Sequence, residues 1–188
     1  VVDRDASVVL DARDMLGHLA ADQAMALAVE RAKRFGTATV AVRRAFHFGA
    51  AGRYALAAAR AGCVGIAMAN TRPVMPAPGG AEKLVGTNPL AIAIPTASEP
   101  HIVLDMATTE GSVGKLRIAE KAGKSIPSTW AVAADGSPTT DPKAALGGML
   151  LPAGGAKGFG LSLVIDLLSG LLASGGWGDS VKAMRGEG

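Results

Sequence analysis

Four short segments of this 188-residue chain carry groups suited to proton transfer or anion binding. The first is Arg43-Arg44-Ala45-Phe46-His47-Phe48-Gly49, where a histidine lies between a β-branched run and an alanine-rich one. An imidazole titrates near neutrality, so at a strand end it is placed to pass a proton to or from a carbinol oxygen. The same ring could equally serve packing alone. The second is Gly154-Gly155-Ala156-Lys157-Gly158-Phe159-Gly160, ahead of an apolar run. Glycines let backbone approach a ligand closely, a helix N-terminus offers unpaired N–H groups to a phosphate or carboxylate, and Lys157 adds a full charge. The block is neither a P-loop nor a G-x-G-x-x-G fingerprint, and tight helix packing is the competing reading.

The third segment is Leu104-Asp105-Met106-Ala107-Thr108-Thr109, an apolar strand followed by an acid and two hydroxyls. Such a strand end can hold a ribose or a nicotinamide amide, or merely satisfy turn backbone. The fourth, Gly86-Thr87-Asn88-Pro89, reads first as a rigid polar turn. His18 and His101 have no neighbouring acid or thiol pattern and read as structural or solvent-exposed residues. With one cysteine, Cys63, and no H-x-x-x-H, no metal site is expected.

Elements that would position these groups follow from periodicity and punctuation. A helix is expected over Leu19 to Arg34, capped by Gly36, then a strand over Thr37 to Val42, a loop from Ala45 to Gly52 and a helix from Arg53 to Arg60 ending at Gly62. Cys63 to Ala69 suits a buried strand, and Pro73 to Gly80 breaks regular structure. Strands over Leu90 to Ile94 and Ile102 to Met106, a helix over Ser112 to Ala122, a turn at Asp135 to Pro138 and a helix start at Asp141-Pro142 come next. Phe159 to Ala173 reads as a buried core helix, too short to cross a bilayer. The alternation gives an α/β class, a sheet layered with helices, as one domain over residues 1–188 without repeats or linkers.

Composition narrows the function classes. With 49% hydrophobic and 19% charged residues, the chain has a packed globular composition rather than a disordered one. Its net charge of +3 is spread along the chain and only 4% of residues are aromatic, which disfavours nucleic-acid binding and leaves room for a small anionic ligand. Asp3, Arg4, Asp5, Asp11, Arg13 and Asp14 interrupt the first apolar residues, so no signal peptide is expected and the compartment expected is a reducing cytoplasm.

Together the segments resemble the malate/L-lactate dehydrogenase-like family. The resemblance is carried by four ordered blocks: His47 to Thr96, Leu104 to Arg117, Ile126 to Pro142, and Leu150 to Gly170, the last containing AGGAKGFGLS. It implies that the sheet is mixed, in a non-Rossmann NAD(P)-binding fold, a soluble homodimer, and interconversion of a small 2-oxo acid with its 2-hydroxy acid. By the same resemblance, His47 is the acid/base residue, Thr71 lies near bound ligand, and Asp105, Met106, Ala107, Lys157, Gly158 and Gly160 contact NAD or NADP. The substrate carboxylate would need a cation, and Arg43, Arg44 and Arg53 are candidates. Arg44, Ala45 and Phe46 stand where many members carry a polar run, and Arg53 where an aromatic residue is common. Members of that family extend beyond both ends of these residues, so the chain is expected to represent part of the family's domain. A catalytically inactive nucleotide-binding or interaction module is the alternative from another class, and a flavin or phosphosugar enzyme a weaker one.

Overall fold

The computed structural model describes residues 2–181. Near the N-terminus, Val8, Leu10 and Ala12 are buried at every second position, the period of a strand with one covered face. They lie in β2 (Ser7–Met15), which pairs antiparallel with β1 (Val2–Arg4) and parallel with β3 (Thr39–Ala45). The parallel pair requires a crossover, supplied by α1 (Gly17–Phe35), whose end is closed by the Gly36 N–H on the Ala32 carbonyl at 2.8 Å. The expected helix and strand are therefore present with shifted ends, whereas β1 and β2 were not anticipated.

Next come α2 (Gly52–Arg60), β4 (Gly65–Met68), a short hairpin of β5 (Met75–Pro76) and β6 (Lys83–Val85), then β7 (Leu90–Ile94) and β8 (Ile102–Met106). The strands β4, β7 and β8 form an antiparallel sheet in that order. Ala51, Ala55 and Ala59 of the α2 region pack on Ala91 and Ala93 of β7, small residues that bring helix and sheet close together. The hairpin corrects the reading of 73–80 as wholly irregular. It is too short for side-chain alternation to signal it.

A second core cluster, of Leu116, Ile126, Ala131, Ala145 and Leu150, joins α3 (Val113–Lys121), β9 (Ala131–Val132), α4 (Pro142–Gly147) and β10 (Met149–Leu150). Ser112 caps α3 by accepting from Lys115 N at 3.2 Å, and Asp141 caps α4 by accepting from Lys143 N and Ala144 N, with Pro142 in the first turn.

The final helix departs from expectation. α5 (Ala156–Asp166) begins earlier and passes into a π-helical turn over Leu167–Leu171. Its buried positions are Gly158, Ser162, Ile165 and Asp166, while Leu163, Val164, Leu168, Leu171 and Leu172 are exposed. It is not a helix buried all round, because close backbone approach selects its small and polar face for the interior. The class is mixed α/β: among the described residues there are four small sheets, one of which contains the parallel pair β2–β3.

Candidate active site

The His47 loop is gripped from two sides. Phe46 N donates to Met15 O at 3.2 Å, extending the β2–β3 pairing into the loop. Gly17, at the start of α1, abuts Phe46 O and His47; a Cβ there would lie 2.7 Å from the His47 carbonyl carbon. On the other side the Tyr54 hydroxyl donates to Phe48 O, and the two rings stack with centroids 5.2 Å apart. Burial pushes the Tyr54 pKa up, which keeps the phenol a donor. His47 itself remains exposed.

Beside it stands His18, which sequence reasoning left outside the site. The two rings are 6.1 Å apart at nearly right angles, 82°, and with Leu16 and Phe46 they line a pocket of about 270 Å³. Only the crossover through α1 brings these chain-distant positions together, so no local motif announces the pair.

The candidate arginines are engaged by carboxylates. Arg43 and Arg44 both reach Asp11, at 3.1 and 2.7 Å, and Arg53 reaches Asp22 at 2.6 Å. The Arg44 hydrogen bond, helped by the Arg13 N–H, holds the Asp11 carboxyl below its ordinary range, and Asp11 raises Arg44 in return. Arg43 borders a separate pocket of about 290 Å³ that includes Leu10, Gln23 and Met15.

The remaining candidate segments meet in one hydrogen-bonded cluster. Thr108, directly after Asp105-Met106-Ala107, donates to Thr87 O from both its N–H and its hydroxyl, each at 2.9 Å. Thr87 N donates to Thr71 Oγ1 at 2.9 Å, and Thr71 N donates to Asn88 Oδ1 at 2.8 Å. Asn88 is fully buried and its Nδ2 donates to Ser162 O on α5 at 2.9 Å, while Ser162 Oγ donates to Gly86 O at 3.1 Å. Gly158 closes the ring: a Cβ there would meet Ala153 O and stand 2.9 Å from Thr108 O. The Gly86–Pro89 segment is thus the hub that holds Thr71, the end of β8 and α5 together, rather than a simple turn.

Asp105 Oδ2 accepts from Gly52 N at 2.9 Å, linking the same strand end to the helix after His47. Met106 and Ala107 are half-buried, and Lys157 is exposed in the first turn of α5, whose N-terminus has no side-chain cap. Just before that turn, Gly154 N donates to Glu110 Oε1 at 3.0 Å, so the loop's N–H groups already take an anionic oxygen. At Gly160 a Cβ would meet nothing within 4 Å. Lys157 and the uncapped N–H groups of the first turn are donors that fit a phosphate, while the Thr108 and Thr109 hydroxyls are buried and spent on Thr87 O and Gly111 O. Among the described residues no group of three or more His, Cys, Asp or Glu could hold a metal ion.

Comparison with known proteins gives this arrangement its context. The profile of the malate/L-lactate dehydrogenase family matches residues 1–188. The chain belongs to the malate/L-lactate dehydrogenase family. Within that family it is 43% identical over 182 residues to a malate dehydrogenase of Pyrococcus abyssi, covering 93% of this chain and 50% of the relative. It is also 43% identical over 178 residues to a ureidoglycolate dehydrogenase (NAD(+)) of Escherichia coli O157:H7, covering 95% and 50%. The malate dehydrogenase structure from Entamoeba histolytica superposes with a TM-score of 0.91 at 34% identity, covering 95% of this chain and 53% of that one. The chain therefore spans about half the length of the family members it matches.

Proposed function

We propose that residues 1–188 form one dinucleotide-binding and catalytic core of an NAD- or NADP-dependent 2-hydroxy acid dehydrogenase, working as a cytoplasmic homodimer on a small 2-oxo or 2-hydroxy acid. The observation that carries this reading is the linkage of Asp105 to Gly52, because it couples the candidate cofactor segments to the helix that anchors the His47 loop. The dehydrogenases among the relatives support the same class.

A bound nicotinamide would supply hydride to C2 of the oxo acid, or accept it in the reverse direction. Lys157 and the first turn of α5 would hold its phosphates, and Asp105, Met106, Ala107, Gly158 and Gly160 would line the remainder. In reduction, His47 donates its proton to the carbonyl oxygen as the hydride arrives, leaving a hydroxyl and a neutral imidazole. Being exposed, the ring regains its proton from water. Thr71, fixed in the hub, would contact the ligand, and Arg43 and Arg53, although paired with Asp11 and Asp22, would draw the anion toward the site at longer range.

The test is a screen of NADH and NADPH oxidation with pyruvate, oxaloacetate and 2-oxoglutarate, repeated with His47→Ala. Turnover is expected with at least one acid and should fall by about a hundredfold or more in the variant, with cofactor affinity kept. Full turnover in His47→Ala would remove the assignment. Lys157→Ala should weaken dinucleotide binding more than substrate binding, measured by quenching of NADH fluorescence.

A further inference from the structure

We propose that His18 is a substrate-binding residue that holds the carboxylate of the 2-oxo acid, next to the carbonyl oxygen faced by His47. The inference rests on the functional reading above and extends it to a residue that reading does not use.

Four observations carry it. First, the pocket containing His47 is walled by Leu16 and Phe46, and its polar side chains are the two imidazoles. A carboxylate entering this open pocket meets His18 as the donor that lines it besides His47. Second, the cations that charge alone would nominate are committed elsewhere: Arg43 and Arg44 share Asp11, and Arg53 binds Asp22. Asp22, one turn beyond His18 on α1, is thereby neutralised rather than left to repel an incoming anion.

Third, the position of His18 is set by backbone contacts. Gly17 abuts Phe46 O and His47, Phe46 N is bonded to Met15 O, and His18 Nε2 lies 2.9 Å from where a Cβ on Gly49 would stand. The ring rests against the loop it faces, so little ordering is required when ligand binds. Fourth, the spacing suits the ligand. The carbonyl oxygen and the nearer carboxylate oxygen of a 2-oxo acid are about 3 Å apart, and two imidazole N–H groups with ring centres 6.1 Å apart can each reach one of them. An imidazole N–H donates to a carboxylate whether or not the second nitrogen carries a proton. Because a carboxylate accepts more strongly than an ester or amide carbonyl, the arrangement favours an acid over those neutral analogues.

The chain has three histidines, so their ring signals are separable by NMR, and His101, held by Thr96 in a different loop, is an internal control. Oxamate, an unreactive 2-oxo acid analogue, should shift the His18 and His47 signals in the 188-residue protein and leave His101 unmoved. The neutral analogue oxamide should shift His18 less than oxamate does, because an amide oxygen accepts more weakly than a carboxylate. In turnover, His18→Leu should raise KM for the 2-oxo acid by about ten- to a hundredfold with kcat and NADH affinity little changed, the loss expected for one hydrogen bond to a charged group. His18→Gln, which keeps a donor, should recover part of it. Movement of His47 without His18 on adding oxamate would overturn this inference and leave the catalytic reading standing. Equal movement of His18 with oxamide would overturn the carboxylate assignment, and stillness of both rings would remove the two readings together.

Discussion

Asp105 and Gly52, on β8 and α2, are joined by one hydrogen bond of 2.9 Å, and Gly52 has no side chain because a Cβ would stand 2.7 Å from the carboxylate oxygen. The acid thus serves the first turn of the helix behind His47 as an N-terminal cap would, drawn from another element. Asp105→Ala should lower stability by about 0.5–2 kcal/mol, the range for a lost capping side chain, as read from urea unfolding. Asp105→Asn keeps an acceptor and should lose less, while weakening NADH binding if the carboxylate also receives a ribose.

Gly158 and Gly160, two positions apart, lie on nearly opposite faces of α5, one crowded and one open. Gly158→Ala drives a methyl into Ala153 and Thr108 backbone and should cost about 1–3 kcal/mol. Gly160→Ala meets open space and should stabilise the helix by up to about 1 kcal/mol. If Gly160 lines the dinucleotide, that more stable variant should bind NADH less tightly. Thermal unfolding and fluorescence titration on the same samples separate the two effects.

Asn88 bridges Thr71 N and Ser162 O from a fully buried position. Removing its amide in Asn88→Ala leaves Thr71 N without its partner and takes from Ser162 O the donor it has outside its own helix, a loss of about 1–3 kcal/mol. Asn88→Asp should also destabilise, since it keeps the acceptor but turns an oxygen toward the Ser162 carbonyl. A variant as stable as the parent in chemical denaturation would contradict the role of this turn as a hub.

Acid should reveal the Asp11 pairing. Its carboxyl titrates below the ordinary 3.8, because Arg44 and then the Arg13 N–H favour the charged form. A depressed folded-state pKa means that the stabilisation is fully present above the unfolded value and is lost as pH falls through the folded one. The gap in urea midpoint between the parent and Asp11→Asn should therefore be constant near neutrality and close progressively below about pH 4. Because the arginines are partly solvent-exposed, added salt should narrow the gap as well.

Periodicity and punctuation made several elements legible in the sequence. Leu90–Ile94 and Ile102–Met106 are strands with those bounds, and Ser112 and Asp141 cap helices where hydroxyl and carboxylate precede good helix formers. In β2 the buried alternation of Val8, Leu10 and Ala12 was present but masked by the charges around it. Two-residue ladders such as Met149–Leu150 carry too little pattern to detect. The expectation of a buried helix over Phe159 to Ala173 fails at its leucines, which hydrophobicity would bury, because Gly158 and Ser162 occupy the inner face. As for the site, the segments around His47, Asp105 and Lys157 stood out as segments. Their mutual fastening through Asn88, and the approach of His18 to His47, depend on contacts between distant parts of the chain that no local spacing encodes.

The pairing of β2 with β3 also makes register a chemical variable. A slip of one residue in β2 would turn Val8, Leu10 and Ala12 outward and shift Met15 and Gly17 away from Phe46, separating the two imidazoles. A population misaligned in this way would retain its helices and pass for native by circular dichroism. Its His18–His47 pocket would nevertheless be missing. For this chain, an assay of ligand binding at that pocket therefore measures folding fidelity that spectroscopic helix content cannot.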